Sequence, residues 1–391
     1  MPSPKIFLVA CEPSGDLHGA HLAKEIRRIS PHSDLRGLGG PEMQQAGVGI
    51  FCDMTKFSAL GFGDVLRLYF HYRKIFYQTL KEIENFKPEV IVLIDSPAFN
   101  LRLAKKINRK FPVVYFISPQ IWAWGGRRIH TIKKTVSKML TILPFEKTLY
   151  QRAGVLCEFV GHPLLDKIPA LTDKSKLRHE LGMERNEIAI GILPGSRKAE
   201  VQRILPCMLE SARLIQKEIP QASFYLGESN NVPAEFYRQI LSKTDLKIRL
   251  MRGDFHSLLA SLDFALISSG TATLEAALCK TPFFLLYKAS WSTYILGRML
   301  VRVPYLGMAN LLLKKSVVPE FIQFEMRPSK IAERAIDFLK RPSQSQKMKE
   351  DFSRLRKLLG EGHASEKAAR ALLAFTKDAP KQIRELQPAH N

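Results

Sequence analysis

The sequence predicts an α/β protein built from two Rossmann-like domains that face a cleft. Each half of the 391-residue chain opens with a short apolar run, a glycine-containing turn and a helical pattern. This is the usual first unit of an open parallel sheet. Further apolar runs of strand length alternate with helical segments in both halves. The length also suffices for two domains, each with its own hydrophobic core.

The first domain is predicted to comprise residues 1–168. Its strands are expected at 6–11, 35–38, 90–94, 113–117 and 139–143, with a turn at 12–16 and a helix at 18–29. Residues 57–83 carry many aromatic and basic side chains. They fit either an amphipathic helix packed on the core or a surface that touches membrane or acyl chains. Trp122 and Trp124 lie in a loop that ends in two glycines, which favours a binding lip over core packing.

The second domain is predicted to comprise residues 187–340, after a polar linker at 169–186. Strands are expected at 187–190, 223–226, 248–251, 264–267 and 282–287. Residues 291–313 are apolar with scattered arginines, and residues 307–310 interrupt them. Helices at 328–340, 344–359 and 364–377 follow, and residues from 378 onward are expected to be disordered. The segment 341–391 is expected to pack on the first domain or on a partner protomer.

A tight turn at residues 193–198 joins a buried strand to a helix and is the first candidate site. Gly195 lets the backbone approach a ligand closely, and the free N–H groups of the helix start, beginning near Ser196, favour an anion. Arg197 adds a planar positive fork suited to phosphate. The alternative is an ordinary strand-to-helix turn with a solvated arginine. The longer glycine-lysine-serine pattern of a Walker loop is missing.

Other polar turns follow predicted strands, and ligands of open α/β sheets bind beyond the carboxyl ends of the strands. Asp95 follows a strong strand, so it is either a general base or an N-cap of the next helix. Glu12 fits the same argument. Glu275 is expected in the first turn of a helix, where the dipole stabilises a carboxylate, and it could equally accept hydrogen bonds from ribose hydroxyls.

Composition restricts the class of partner. The formal net charge of +22 indicates an anionic partner such as nucleic acid, an acidic membrane surface or a phosphorylated substrate. The five cysteines are scattered and lack paired metal spacing, so reduced thiols and no metal site are expected. The apolar run at 6–11 is too short for a signal peptide, and no stretch has the length of a membrane span.

Nine ordered motifs resemble one family, the lipid-A-disaccharide synthases, which are glycosyltransferases of the GT-B fold type. The resemblance runs through nearly the whole chain. The matching stretches are residues 12–16 (EPSGD), 39–43 (GGPEM), 94–100 (IDSPAFN), 118–124 (SPQIWAW), 143–147 (LPFEK), 159–162 (FVGH), 193–197 (LPGSR), 269–275 (SGTATLE) and 310–312 (NLL).

The resemblance implies an inverting reaction on the path to the lipid A of Gram-negative lipopolysaccharide. The family joins UDP-2,3-diacylglucosamine to 2,3-diacylglucosamine 1-phosphate (lipid X), forming a β-1,6 disaccharide and releasing UDP. It implies catalytic roles for Asp95 or Glu12 as the base and for Arg197 at the leaving group, with no metal or cofactor. The matching motifs supply the expected substrate-binding residues: Ser14, Gly15, Asp16, Asn100, Gly195, Ser196, Gly270, Thr271, Glu275 and Asn310.

The implied substrates are acylated and anionic, so we expect a cytoplasmic enzyme, peripheral on the inner face of the inner membrane. The resemblance also implies a possible homodimer, and no nucleic-acid partner is expected. Two alternatives stay open. One is another UDP-sugar enzyme of the GT-B type, an epimerase or a transferase. The other is a non-catalytic protein that binds anionic membrane or nucleic acid.

Overall fold

The computed structural model describes residues 3–57, 65–168, 173–184, 186–300 and 303–386. It divides into two compact units. The first comprises Met1–Asp166 together with Leu359–Asn391, and the second comprises Lys167–Leu358. Each unit contains one parallel sheet with helices, which confirms the predicted α/β fold class with two parallel-sheet domains.

The first unit has a seven-stranded parallel sheet in the order β3-β2-β1-β4-β5-β6-β7. Its strand order reverses between β1 and β4, which pair in the register Ala10 to Ile94. The strands are β1 Lys5–Ala10, β2 Asp34–Gly39, β3 Gly49–Asp53, β4 Val90–Ile94, β5 Val113–Phe116, β6 Lys138–Thr141 and β7 Cys157–Phe159.

Helices cover both faces of this sheet, which is why the strand β4 is buried along its whole length. The C-terminal helix α17 packs against α1. The helices are α1 Pro13–Ile29, α2 Pro41–Gln45, α3 Val65–Phe86, α4 Pro97–Ile107, α5 Arg128–Thr135, α6 Pro144–Arg152, α7 Leu164–Lys167 at the unit boundary, and α17 Ala364–Leu386.

The second unit has a six-stranded parallel sheet in the order β10-β9-β8-β11-β12-β13, with the reversal between β8 and β11. Its strands are β8 Ile188–Leu193, β9 Ala222–Gly227, β10 Ile248–Met251, β11 Phe264–Ser268, β12 Phe283–Tyr287 and β13 Glu320–Ile322. Its helices are α8 Lys174–Glu180, α9 Lys198–Glu218, α10 Ala234–Leu241, α11 Phe255–Ser261, α12 Thr271–Leu278, α13 Trp291–Leu300, α14 Met308–Leu313, α15 Pro328–Leu339 and α16 Pro342–Leu358.

The segment 169–186, which the sequence suggested as a linker, contains the helix α8. Asp173 caps this helix by accepting hydrogen bonds from two backbone N–H groups. Lys174 Nζ lies 2.6 Å from Asp263 Oδ1, and Arg178 Nη1 lies 3.0 Å from Asp263 Oδ2. These ion pairs hold the polar segment on the second unit. Residues 169–172 and 185 lie outside the described residues.

Other boundaries also differ from the prediction. The helix α1 begins at Pro13, so residues 13–16 form its first turn rather than a free turn, and Glu275 is the fifth residue of α12. The aromatic segment predicted at 57–83 is helical from Val65 to Phe86, and residues 58–64 lie outside the described residues. The predicted disorder from 378 is wrong as far as Leu386, because α17 continues to that residue. Residues 387–391 lie outside the described part.

Candidate active site

The carboxyl ends of β1 and β4 form the candidate site of the first unit. The sheet order reverses between these two strands, and such a switch point leaves a crevice beyond the strand ends. Glu12 follows β1 and is exposed, whereas Asp95 follows β4 and is partly buried. The fold therefore brings together the two carboxylates that the sequence suggested as candidate bases.

The backbone at the end of β4 is strained. Asp95 and Ser96 have φ angles of 48° and 43°, a left-handed conformation that costs non-glycine residues free energy. Asn100 braces this turn, since its Nδ2 donates to the carbonyl oxygens of Ile94 and Asp95 at 3.0 and 2.8 Å. The Tyr115 hydroxyl also donates a hydrogen bond to the carbonyl oxygen of Asp95, at 2.5 Å. Asn100 is fully buried and thus orients Asp95 through the main chain.

The environment of Asp95 makes its carboxyl a better proton acceptor. Burial of the side chain, and then the nearby Glu12 carboxylate, raise the pKa of Asp95 above its usual value. The backbone N–H of Ser96 opposes this rise. A raised pKa on a rigidly held carboxylate is what a general base needs near neutral pH.

The other predicted residues at the start of α1 differ in their surroundings. Ser14 is exposed, and Gly15 packs α1 closely on β1, with a constructed Cβ 3.5 Å from Ala10 Cβ. Asp16 is only 1% exposed. Its carboxylate accepts hydrogen bonds at 2.7 to 3.2 Å from three backbone N–H groups at the start of α2: Gly40, Glu42 and Met43. Asp16 therefore holds α2 in place.

The tryptophan loop at 118–124 is anchored by Glu146, which the sequence reasoning did not single out. Ser118 Oγ and Trp122 Nε1 donate to Glu146 Oε1 at 2.6 and 3.1 Å. The backbone N–H of Leu143 donates to Glu146 Oε2 at 3.3 Å. Burial outweighs these hydrogen bonds and raises the pKa of Glu146 to about 7. Glu146 is the third residue of α6, and an acidic residue in the first turn of a helix is the sequence feature that could have revealed it.

A cavity of about 630 Å³ lies beside the two carboxylates. Its wall combines aromatic rings with three guanidinium groups, and Trp124 contributes from the tryptophan loop. The lining residues are Cys11, Glu12, Tyr72, Arg73, Phe76, Tyr77, Ser96, Pro97, Ala98, Phe99, Arg102, Trp124 and Arg128. Such a surface suits a ligand with both an anionic group and an apolar part.

The second unit has its own candidate site at the carboxyl ends of β8 and β11. Gly195 has a φ of 112°, and a Cβ constructed on it would lie 2.6 Å from Glu200 Oε2 and 3.2 Å from Ser268 Oγ. The loop thus needs glycine both for its conformation and for its close packing. This packing brings the loops after β8 and β11 together.

The Glu200 carboxylate contacts two donors of this loop, a backbone N–H group and a guanidinium group. The backbone N–H of Ser196 donates to Glu200 Oε2 at 3.3 Å, and Arg197 Nη1 lies 2.8 Å from Glu200 Oε1. The Arg197 side chain is nevertheless 81% exposed, so it can reach a ligand. An anion at the loop therefore competes with Glu200 for the same donors. Glu200 was missed in the sequence, although an acidic residue early in a helix is typical of this capping arrangement.

The turn after β11 is open to solvent. Gly270 precedes α12 with an extended backbone, and a Cβ constructed on it meets no atom within 4 Å. Thr271 is exposed next to it. Glu275 lies deeper, with its Oε1 3.5 Å from His256 Nε2. These residues leave room for a ligand at the start of α12.

Asn310 has a buried position in the helix α14 and is not exposed. Its Nδ2 donates to Val318 O and Glu320 Oε1 at 2.7 and 2.8 Å, and its Oδ1 accepts from Val317 N and Val318 N at 2.8 Å. Its amide therefore connects α14 to the segment that leads into β13. Among the described residues, no group of three or more metal-ligating side chains is arranged to hold an ion.

Comparisons with known proteins show which sequences this chain is similar to. The sequence model of a family described as lipid-A-disaccharide synthetase matches residues 6–375. The lipid-A-disaccharide synthase of Syntrophus aciditrophicus (strain SB) is 38% identical over 379 residues, covering 96% of this chain and 99% of that protein. Lipid-A-disaccharide synthase 1 of Legionella pneumophila (strain Lens) is 36% identical over 362 residues, covering 92% and 94%.

Solved structures share the fold at low sequence identity. The UDP-GlcNAc 2-epimerase from Neisseria meningitidis, solved with UDP-GlcNAc, matches with a TM-score of 0.60 and 15% identity over 95% of this chain and 100% of that chain. MurG of Acinetobacter baumannii matches with a TM-score of 0.58 and 11% identity, over 95% and 100%. At such identities these likenesses show the fold alone.

Proposed function

Because the chain belongs to the lipid-A-disaccharide synthase family, we propose that it transfers the glucosamine unit of UDP-2,3-diacylglucosamine to 2,3-diacylglucosamine 1-phosphate (lipid X). The products are the β-1,6 disaccharide 1-phosphate and UDP. The observation that carries this proposal is the strained, braced position of Asp95 beside Glu12, at the edge of an aromatic and basic cavity.

Asp95 acts in this proposal as the general base. Its carboxylate takes the proton of the acceptor 6-hydroxyl as that oxygen attacks the anomeric carbon of the donor. An α-linked donor gives a β-linked product, so the attack inverts the anomeric centre and needs no covalent enzyme intermediate. Glu12 raises the proton affinity of Asp95 and stays the second candidate for the base.

Arg197 and the Gly195 loop act on the leaving group. The bond between the anomeric carbon and the phosphate oxygen breaks, and its electron pair leaves with UDP. The exposed guanidinium of Arg197 and the N–H of Ser196 then stabilise the negative charge that develops on the diphosphate. Gly270, Thr271 and Glu275 frame the uridine and ribose part of the same site.

We also propose that the protein binds the anionic inner face of the inner membrane, where acylated substrates are located. Four apolar side chains of the second unit are more than half exposed, and we call them the α13 patch: Trp291, Ile295, Met299 and Phe324. No helix within the described ranges is long and apolar enough to span a bilayer. A homodimer stays a prediction, and sedimentation equilibrium of the full chain tests it.

A UDP-sugar epimerase is the alternative that shares the fold. The aromatic wall of the cavity favours the acylated acceptor, since a free sugar nucleotide has no acyl chain to cover it. To separate the two, purified protein is incubated with donor, with acceptor and with both, and UDP and disaccharide are measured by mass spectrometry. We expect UDP release only with both substrates. Epimerised donor, or UDP without disaccharide, would contradict the proposal.

A further inference from the structure

The cavity beside Asp95 has an unbalanced positive charge. Arg73, Arg102 and Arg128 line it, and among the described lining residues only Glu12 has a carboxylate. Among the described residues, none of the three guanidinium groups has a carboxylate oxygen within 4.0 Å. Some other arginines of the first unit do have carboxylate partners, as Arg28 has in Glu25 and Glu366. Even with the Asp95 carboxylate beside it, the cavity therefore presents an excess of positive charge to a ligand.

Arg128 is held in place but lacks a hydrogen-bond acceptor. Its guanidinium group lies over the Trp124 ring, 4.0 Å from the ring centroid, and this contact holds the guanidinium in place. Gly125 makes room for it, because a Cβ constructed there would lie 3.3 Å from Arg128 Nε. Nevertheless Arg128 Nη1 is buried and has no hydrogen-bond partner within the described part of the chain. A buried charged donor without an acceptor is costly unless a ligand supplies one.

We propose that Arg102 and Arg128, assisted by Arg73, bind the phosphate monoester of the sugar acceptor. A phosphate monoester carries roughly −1.5 to −2 charge near pH 7, which matches the excess positive charge of the cavity. Planar guanidinium groups also offer the paired donors that phosphate oxygens accept. This assignment rests on the proposed function, because the occupant is the acceptor of that reaction.

The position of the cavity supports the acceptor rather than the nucleotide. The cavity is lined by Ser96, the residue next to the proposed base, so an acceptor hydroxyl at Asp95 places the rest of that sugar inside it. The attacking 6-hydroxyl is carried by C5 and the phosphate by C1, and both carbons flank the ring oxygen, so one cavity can hold both groups. Tyr72, Phe76 and Phe99 form an apolar part of the cavity wall. The diphosphate of the donor has its own proposed site at the Gly195 loop.

The test compares two acceptors in the transfer assay: the sugar 1-phosphate and the same diacylated sugar without phosphate. Arg102→Gln and Arg128→Gln are expected to lower kcat/KM for the phosphorylated acceptor by about tenfold or more, since charged hydrogen bonds are lost. With the unphosphorylated acceptor, these variants should match the wild type within about twofold. Arg127→Gln is the matched control, because Arg127 precedes Arg128 in sequence, is exposed and does not line the cavity.

Three outcomes would overturn the assignment. One is an equal loss with both acceptors, which would indicate a general effect on the site. Another is an unchanged kcat/KM with the phosphorylated acceptor. The third is a normal kcat/KM accompanied by weaker binding to phosphatidylglycerol vesicles, which would indicate a lipid headgroup as the ligand. Arg128→Lys keeps the charge and should recover part of the loss if folding is intact. Absence of any transfer by the wild type would instead overturn the proposed function.

Discussion

At the scale of single residues, the strand-end positions were predictable, whereas their supporting contacts were not. Asp95 and Gly195 follow apolar runs directly, so the parallel-sheet pattern was enough to place them at the strand ends. The roles of Asp16 and Glu146 depend on partners 24 and 28 residues away in sequence. Periodicity carries no information on such contacts, since they arise only when loops from separate strands meet.

Glu146 gives the first prediction at this scale. Because its pKa is raised to about 7, the folded protein binds the proton of Glu146 more tightly than the unfolded chain. Its carboxyl therefore favours folding at low pH, and this contribution is lost as pH rises from about 4.5 to about 7. The loss amounts to about 3 kcal/mol in the free energy of unfolding. The Glu146→Gln side chain stays neutral, so this variant should lack that pH-dependent loss of stability.

The measurement is urea unfolding of both proteins at several pH values across this window. His162 has the opposite effect, because burial and then the nearby His18 lower its pKa to about 4, so its contribution to stability rises with pH up to its usual pKa near 6.5. The quantity to compare is therefore the difference between wild type and Glu146→Gln, in which His162 cancels. A difference that does not change with pH would contradict the role given to Glu146.

At the scale of secondary-structure elements, the central strands were predictable, whereas only one of the edge strands, β10, was expected. The strand β4 is a continuous apolar run, as expected of a strand buried on both faces. By contrast the edge strands β3, β7 and β13 are only three to five residues long and have at most one buried position each. The helix α8 was missed because Asp263, far along the chain, supplies its ion pairs.

The loop between β8 and α9 gives the prediction at the element scale. In Gly195→Ala the new Cβ would contact Glu200 Oε2 and the backbone would keep a φ unfavourable to alanine. We expect the free energy of unfolding to fall by about 1–3 kcal/mol. Because the added Cβ and the unfavourable φ would distort the loop that is proposed to contact the diphosphate, we also expect weaker UDP binding by calorimetry.

Gly253→Ala is the matched control for this loop. Gly253 belongs to the same unit and has a similar φ of 123°, but a Cβ constructed on it meets no atom within 4 Å. It should lose comparable stability while keeping the UDP affinity of the wild type. If Gly195→Ala also keeps that affinity, then the loop does not bind the diphosphate.

At the scale of the whole molecule, charge and exposed apolar surface act together. The net charge of +22 and the α13 patch predict binding to anionic vesicles, with weaker binding as salt rises. The double variant Ile295→Ser with Met299→Ser should reduce co-sedimentation with phosphatidylglycerol vesicles severalfold, since apolar area is lost. Leu156→Ser removes a similarly exposed side chain outside the patch and should bind like the wild type. Equal binding by all three proteins would contradict membrane contact through the patch.

The organisation of the whole chain was predictable only in part. Two halves with the same opening pattern indicated two α/β domains, and two parallel sheets are present. The return of the chain from Leu359 to the first unit depends on α17 packing against α1. Both helices have apolar faces, but their sequences do not specify each other as partners. The resemblance supplied the reaction, which composition and periodicity alone left open.

The central claim is that Asp95 is the general base of a glycosyl transfer. The most direct test measures disaccharide formation and UDP affinity for the wild type, Asp95→Asn and Glu12→Gln under the same conditions. We predict that Asp95→Asn lowers the transfer rate by about 10²–10⁴-fold with unchanged UDP affinity, and that Glu12→Gln has a smaller effect. A transfer rate for Asp95→Asn close to that of the wild type would contradict the account.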